Sequence, residues 1–217
     1  MNRTIRITGK GQLKVKPDTT RITISLEGTY PEYSDTLNRS AKENEILKDI
    51  LSKRGFERTD LKTTYFNIDM VKESYREHGA YKNRLVGYKF THIMKLEFDS
   101  DNKRLGDILA LLSHCPIKPE LNLTYTVKDP EASKNQLLEN AVNDAKRKAE
   151  VLAKAAGVQL GSIVNIDYSW GTINIESESR DCMICASVCE EEADYSVDIE
   201  PDDIDLSDTV TVVWEIL

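Results

Sequence analysis

The chain has 217 residues, 40% hydrophobic and 30% charged. That suits one large domain or two small ones, able to bury a core without disulfides. Its longest apolar run, Ile108–Leu112, falls far short of the ~18 residues a membrane-spanning helix needs, which excludes an integral helical membrane protein. The net charge of −8 argues against a general binder of nucleic acid or of anionic membranes.

The charge is unevenly placed. From Glu176 to Asp208 there are thirteen acidic residues and one basic residue, Arg180. That segment carries −12 and leaves +4 on the rest of the chain. A solvated loop, kept extended by its own repulsion, accounts for it most simply. The sharper reading is a cation site or a clamp on a basic surface.

In chain order, residues 4–30 read as strands. Ile5 and Ile7 alternate with polar neighbours, as do Leu13 and Val15, then Ile22, Ile24 and Leu26. Pro17-Asp18 marks a turn, and Gly9 and Gly11 mark a bulge or crossing in the first strand. Met1-Asn2-Arg3 runs into this pattern without an apolar signal core or a small-residue cleavage site. A cytoplasmic setting is therefore expected, or an extracytoplasmic one if an export signal has been removed. In the cytoplasm the four cysteines would be free thiols.

Residues 34–54 read as a helix capped by Ser34 or Asp35, with Leu37, Ala41, Leu47 and Leu51 near one face and Gly55 as its stop. Strands follow over 61–73 and 85–98. In the second, Tyr88, Phe90, His92, Met94, Leu96 and Phe98 share one face. Between them the polar stretch from Glu73 to Arg84 reads as a hairpin loop. Asp101 caps a short helix carrying Leu105, Ile108, Leu109 and Leu112, which must end before Pro116. A strand over Leu121–Val127 precedes Asp129-Pro130, a strong helix start. The helix it opens carries Leu138, Val142, Ala145, Ala149, Leu152 and Ala156 as its apolar stripe and ends at Gly157. Ile163–Tyr168 is a strand, and Val210, Val212, Trp214 and Ile216 alternate in a closing strand. Helices segregate from antiparallel hairpins, so the fold class is α+β, with antiparallel sheets that carry helices on one face.

Cys182, Cys185 and Cys189 are the sharpest chemical feature. Three thiolates within eight residues supply three ligands for zinc or an iron–sulfur cluster, and the acidic surroundings favour a cation. A fourth ligand is missing from the local set, and reduced cysteines in a solvated loop are the plainer reading. The adjoining Glu190-Glu191-Glu192 raises thiol pKa values, which works against a reactive set. No cofactor is expected otherwise. His92 reads as a core residue, His78 as solvated, and His114-Cys115 lacks the orienting third group a nucleophile needs. Lys146, Arg147 and Lys148 spread around their helix, which suits a solvated surface rather than a nucleic-acid stripe. No set of residues reads as catalytic, and a non-enzyme is expected.

The ordered pieces of the chain resemble the SIMPL-domain family, which includes YggE-type and periplasmic immunogenic proteins. They are Ile7-Thr8-Gly9-Lys10-Gly11, Val15-Lys16-Pro17-Asp18-Thr19, Asp60-Leu61-Lys62-Thr63, Val86-Gly87-Tyr88 and the Ala- and Lys-rich run from Asn140 to Glu150. Ala155-Ala156-Gly157-Val158, Leu160-Gly161 and Ile199-Glu200-Pro201 complete the set. Asp202 stands where the family's closing motif usually has glycine, and the usual export signal is not visible. The resemblance implies a single SIMPL-like domain over 1–217 made of two packed α+β subdomains, each a small two-layer α/β sandwich. Their split is expected near 100–120, with the C-terminal strand returning to the first sheet and 176–208 forming an acidic Cys-bearing loop. It also implies homo-oligomers or a protein partner, roles in oxidative or envelope stress, and no catalytic residues. The expected function is thus a non-enzymatic, oligomer-forming or partner-binding protein. The alternative is a metal- or redox-responsive module built on Cys182, Cys185 and Cys189, and an enzyme comes third.

Overall fold

The structure is a computed structural model that describes residues 3–77, 80–168, 173, 175–177 and 199–217. Its elements are β1 (Thr4–Val15), β2 (Thr19–Tyr30), α1 (Tyr33–Ser52), β3 (Lys62–Glu77), β4 (Ala80–Asp99), α2 (Asn102–Ser113), β5 (Glu120–Thr126), α3 (Pro130–Ala155), β6 (Leu160–Asp167) and β7 (Ile204–Ile216). The expected α+β class holds: two antiparallel sheets carry three helices. The chain divides into two compact units. Unit 1 holds Met1–Asp18, Thr126–Ser177 and Pro201–Leu217; unit 2 holds Thr19–Tyr125 and Glu178–Glu200.

Unit 1 is a three-stranded sheet, order β1-β7-β6, with α3 on one face. The C-terminal strand returns to the first one: β1 pairs with β7 antiparallel from Thr4↔Glu215 to Val15↔Ile204 without a register shift. No bulge therefore occurs at Gly9 or Gly11. The two glycines are needed for a different reason, the close approach of α3. A β-carbon on Gly9 would lie 2.1 Å from the Ala141 carbonyl oxygen, and one on Gly11 would lie 2.2 Å from that of Leu137. The buried stripe of α3 is Leu137, Ala141, Ala145, Ala149 and Ala153. It shares Ala145 and Ala149 with the expected one; Leu138 and Val142 are only partly buried beside it, and Leu152 is left 49% exposed. Opposite Gly9 and Gly11, Ala141 and Ala145 place only methyl groups between the helix and the strand. Asp129 caps α3 as expected, accepting from the Ala132 N–H at 2.9 Å.

β7 begins well inside the expected acidic loop. Ile204 and Leu206 are buried while Asp205 and Ser207 point outward, so 204–208 is amphipathic strand rather than loop. Further upstream, Ile175 is buried with Val127, Leu137, Ile204 and Leu206. The Thr126 hydroxyl donates to the Ile175 carbonyl at 2.7 Å.

Unit 2 is a four-stranded sheet, order β3-β4-β2-β5, covered on one face by α1 and α2. Its core unites Ile22, Ile24 and Leu26 of β2, Phe90, Met94 and Leu96 of β4, Leu47 and Leu51 of α1, and Leu105, Ile108 and Leu112 of α2. Here β4 follows the period-two reading. α1 follows its own only in its second half: Leu47 and Leu51 are buried as expected, but in the first half Thr36 and Ser40 are buried while Leu37 and Ala41 are exposed. Neither Ser34 nor Asp35 caps it; the N-cap is Glu32, without a side-chain bond. Instead the Thr36 hydroxyl donates back to the Glu32 carbonyl at 2.9 Å, with the Tyr88 carbonyl at 3.3 Å. Two small polar residues, one of them satisfied by backbone carbonyls, let the start of α1 lie close on the sheet. At the other end the Arg104 guanidinium lies over the Phe56 and Phe98 rings, at 4.4 and 5.6 Å from their centroids.

Candidate functional site

The expected metal ligands Cys182, Cys185 and Cys189 lie outside the described residues, and so does His78. Among the described residues no cluster of three His, Cys, Asp or Glu side chains could hold a metal ion. No helix there is long and apolar enough to cross a membrane. His114 ends α2 and turns its Nδ1 to the Ala110 carbonyl at 2.8 Å, while Cys115 is buried and its thiol is pushed up by that burial. Both features oppose a thiolate–imidazole pair.

His92 is a core residue, 6% exposed. Its Nε2 shares a 2.8 Å hydrogen bond with the Thr63 hydroxyl, and the Phe66 ring meets it edge-on at 5.1 Å. Its Nδ1 is buried without a partner. Burial, with the nearby Lys48 charge adding to it, pushes its pKa down.

The stretch from Glu73 to Arg84 is not a loop. β3 and β4 stay paired to Glu77↔Ala80, whereas β2 stops pairing with β4 at Tyr30↔Tyr88. Residues 71–77 and 80–87 thus form a two-stranded arm that outruns the rest of the sheet. A ribbon open to water on both faces needs no apolar alternation, which is why periodicity hid it; cross-strand pairs hold it instead. Arg84 donates to Glu73 at 3.0 and 2.7 Å and lies over the Tyr75 ring, and the Ser74 hydroxyl donates to the Asn83 side-chain carbonyl at 2.6 Å. The register sets Met70, Lys72 and Arg76 on one face with Leu85 and Tyr81. Met70 is 60%, Leu85 50% and Tyr81 80% exposed. That face combines three uncovered apolar side chains with two cations.

A second arrangement was invisible to composition. β1 is an edge strand, and alternate residues of an edge direct their backbone groups away from the sheet. Along that edge the Lys10 N–H donates to the Asp144 carboxylate at 2.9 Å. The Asn140 amide donates to the Gln12 carbonyl at 3.1 Å, and the Lys148 ammonium reaches the Thr8 carbonyl at 3.4 Å. Asn140, Asp144 and Lys148 are one helical row beside the alanine row, so α3 seals the edge it packs on. Asp144 also binds Lys148 at 2.7 Å and Arg147 at 2.8 Å. Lys148, the Lys10 N–H and Arg147 together hold its carboxyl well below the usual carboxylate range. The basic cluster on this helix is thus partly committed to Asp144. The readable signal is the i, i+4 spacing of Asn140, Asp144 and Lys148 next to Ala141, Ala145 and Ala149.

The chain matches, over residues 5–214, the profile of the SIMPL family, described as protein of unknown function (DUF541). It is 25% identical over 163 residues to the 26 kDa periplasmic immunogenic protein of Brucella melitensis, covering 75% of this chain and 65% of that protein. It is 24% identical over a stretch of equal length to the protein of that name from Brucella abortus, with the same coverage. The match thus spans about two thirds of the length of these relatives. It is 22% identical over 214 residues to the uncharacterized protein YggE of Edwardsiella ictaluri, covering 96% of this chain and 84% of that protein. With the glycine pair, the alanine row and the closing strand β7 as far as Trp214 falling inside the matched span, the chain belongs to the SIMPL family.

Proposed function

We propose that this protein works by association, as a non-enzymatic member that forms oligomers or binds a protein partner, in oxidative or envelope stress. The observation that carries the reading is the β3–β4 arm, whose Leu85 and Tyr81, with Met70 at the arm's base, are at least half exposed on one face. An isolated two-stranded ribbon is marginal in water, so an arm of this length gains most when something covers it. The setting that agrees with the relatives' printed names is the periplasm rather than the cytoplasm. The experiment is light scattering over a concentration series of the wild type and of Tyr81→Glu combined with Leu85→Glu. Both positions are exposed, so the double variant should fold. The reading expects a particle larger than one chain, or a partner complex, that the double variant weakens. A wild type that stays monomeric and binds no protein partner contradicts it.

A further inference from the structure

In unit 2, α1 packs on β2 and β4, and β3 is the outer strand beyond β4. Two contacts mark the flanks of the helix. The Arg39 guanidinium lies over the Tyr30 ring of β2, whereas the Lys48 charge acts on His92 of β4. With about 3.6 residues per turn, Leu37, Ala41 and Asn44 fall on the Lys48 flank, toward β3. Leu37 is 44% exposed and Ala41 is exposed. On β3, Phe66 stands opposite His92 and Met70 opposite Tyr88, which puts both on the helix-bearing face. They are 44% and 60% exposed. The helix layer thus ends before the sheet does, and an apolar slot lies over β3 beside α1. The Thr36 hydroxyl meets the Tyr88 carbonyl at 3.3 Å, so α1 begins at the arm end of the sheet. From there to Asn44 the helix rises about 12 Å, and from Tyr88 to His92 the strand rises about 13 Å, which brings Asn44 level with His92. Asn44 Oδ1 and His92 Nδ1 are both buried without partners. Buried polar atoms are normally satisfied, so the inner side of the slot is incomplete in the chain alone.

We propose that this slot receives an amphipathic helix of a partner protein, laid antiparallel to α1, with acidic residues in its last turns. The proposal rests on the reading that the chain works by association, and it supplies the partner's chemistry. A strand would pair at the β3 edge; the face takes a helix, in the layer of α1 and α2, at roughly 8–10 Å from the α1 axis. From Phe66 to Arg76 β3 runs about 33 Å, which about 22 residues of helix match. The charge sets the sign of the partner. Beyond Met70 the same face of β3 carries Lys72 and Arg76, while Asp69 and Glu73 alternate onto the other face. Glu73 is taken by Arg84 there. Among the described residues Lys72 has no ion-pair partner, and Arg76 lies over the Tyr81 ring. Both cations stand at the end where α1 begins. A helix antiparallel to α1 ends there, so its acidic side chains and the negative end of its dipole meet Lys72 and Arg76. A hydrogen-bond donor midway along it would satisfy the Asn44 oxygen.

The test uses the full chain and two fluorescent peptides of that length. Both repeat leucine at i, i+3, i+4 and i+7; one carries glutamates in its last two turns, the other lysines. Binding is read by anisotropy. The proposal expects the acidic peptide to bind at least tenfold tighter than the basic one. Leu37→Glu and Met70→Glu should each weaken it at least tenfold, and Lys72→Glu combined with Arg76→Glu should reverse the preference. All four positions are exposed, and circular dichroism checks that the variants fold. In a separate variant Leu37 is replaced by the photoreactive benzoylphenylalanine, which should cross-link to the acidic peptide. Equal binding of the two peptides, no saturable binding of the acidic one, or cross-links only to a second copy or to the chain's own residues 178–198 overturns the proposal. If light scattering then still shows an assembly or a partner complex, only the slot is refuted. A wild type that stays monomeric and binds neither a peptide nor a protein partner refutes the association reading as well.

Discussion

A β-carbon on Gly9 would sit 2.7 Å from the Ala145 β-carbon and closer still to the backbone of α3. These two residues set how near the helix and the strand lie, and the smallness of both is what permits the polar row of α3 to reach the backbone of β1.

Gly9→Ala should accordingly be among the most damaging single-carbon changes in the chain. The atoms it meets are the Ala141 carbonyl oxygen and the Ala145 backbone nitrogen, which cannot swing aside as a flexible side chain can. Overpacking of this kind costs roughly 3 kcal/mol. Chemical denaturation should show the midpoint falling with little change in slope. A variant as stable as the wild type would falsify the close-packing account.

Asp144→Ala removes the acceptor of the Lys10 N–H and the shared partner of Arg147 and Lys148. Thermal melting should show a loss of stability, with Asp144→Asn losing less because an amide oxygen can still accept from Lys10. The acid limb follows from the lowered carboxyl. The unfolded chain takes up this proton first, at about pH 3.9, so the stabilisation is complete above that pH and fades below it. The alanine variant should therefore differ most from the wild type at neutral pH and least in strong acid.

The sequence legibility of the two units differs for physical reasons. Phe90, Met94 and Leu96 alternate because β4 has one face in the core, and Asp101 and Asp129 cap helices with side-chain bonds that composition makes visible. The stripe of α3 is legible only in part: periodicity finds Ala145 and Ala149, but it favours a large residue such as Leu152, which is exposed, over the small Ala141 and Ala153, which are buried. The arm was read as a loop because its strands carry polar residues on both faces. The edge seal joins side chains to backbone atoms more than a hundred residues away in the chain, which no local pattern records. Cys182, Cys185 and Cys189 remain a reading from spacing, and their neighbours Ile175 and Ile199 pack within their own units.

The cysteine set makes a separate prediction. Protein produced with zinc or iron supplied and purified under reducing conditions should carry about one equivalent of metal per chain if the three thiolates close a site, and Cys185→Ser should abolish it. Melting should leave that variant unchanged in its core strands and helices, none of which contains these residues. Absence of metal by elemental analysis, with these thiols freely titratable, returns the segment to reduced, solvated cysteines.

His92 is a titratable group buried in the core of unit 2. Its pKa is lowered first by burial and then by Lys48, so the unfolded chain binds its proton more readily than the folded one. The sign follows: stability is fully present above the unfolded value of about 6.5 and is lost as pH falls from there toward the depressed folded value. His92→Gln should flatten that part of the stability curve, because glutamine can keep the bond to Thr63 and does not titrate. Thr63→Val, which strands Nε2 in a buried position, should cost about 1–3 kcal/mol at neutral pH. The two variants separate the proton from the hydrogen bond: denaturation between pH 5 and 8 should show the valine variant weaker throughout and the glutamine variant less sensitive to acid. If His92→Gln retains the full wild-type slope below pH 6.5, the acid response belongs to another group.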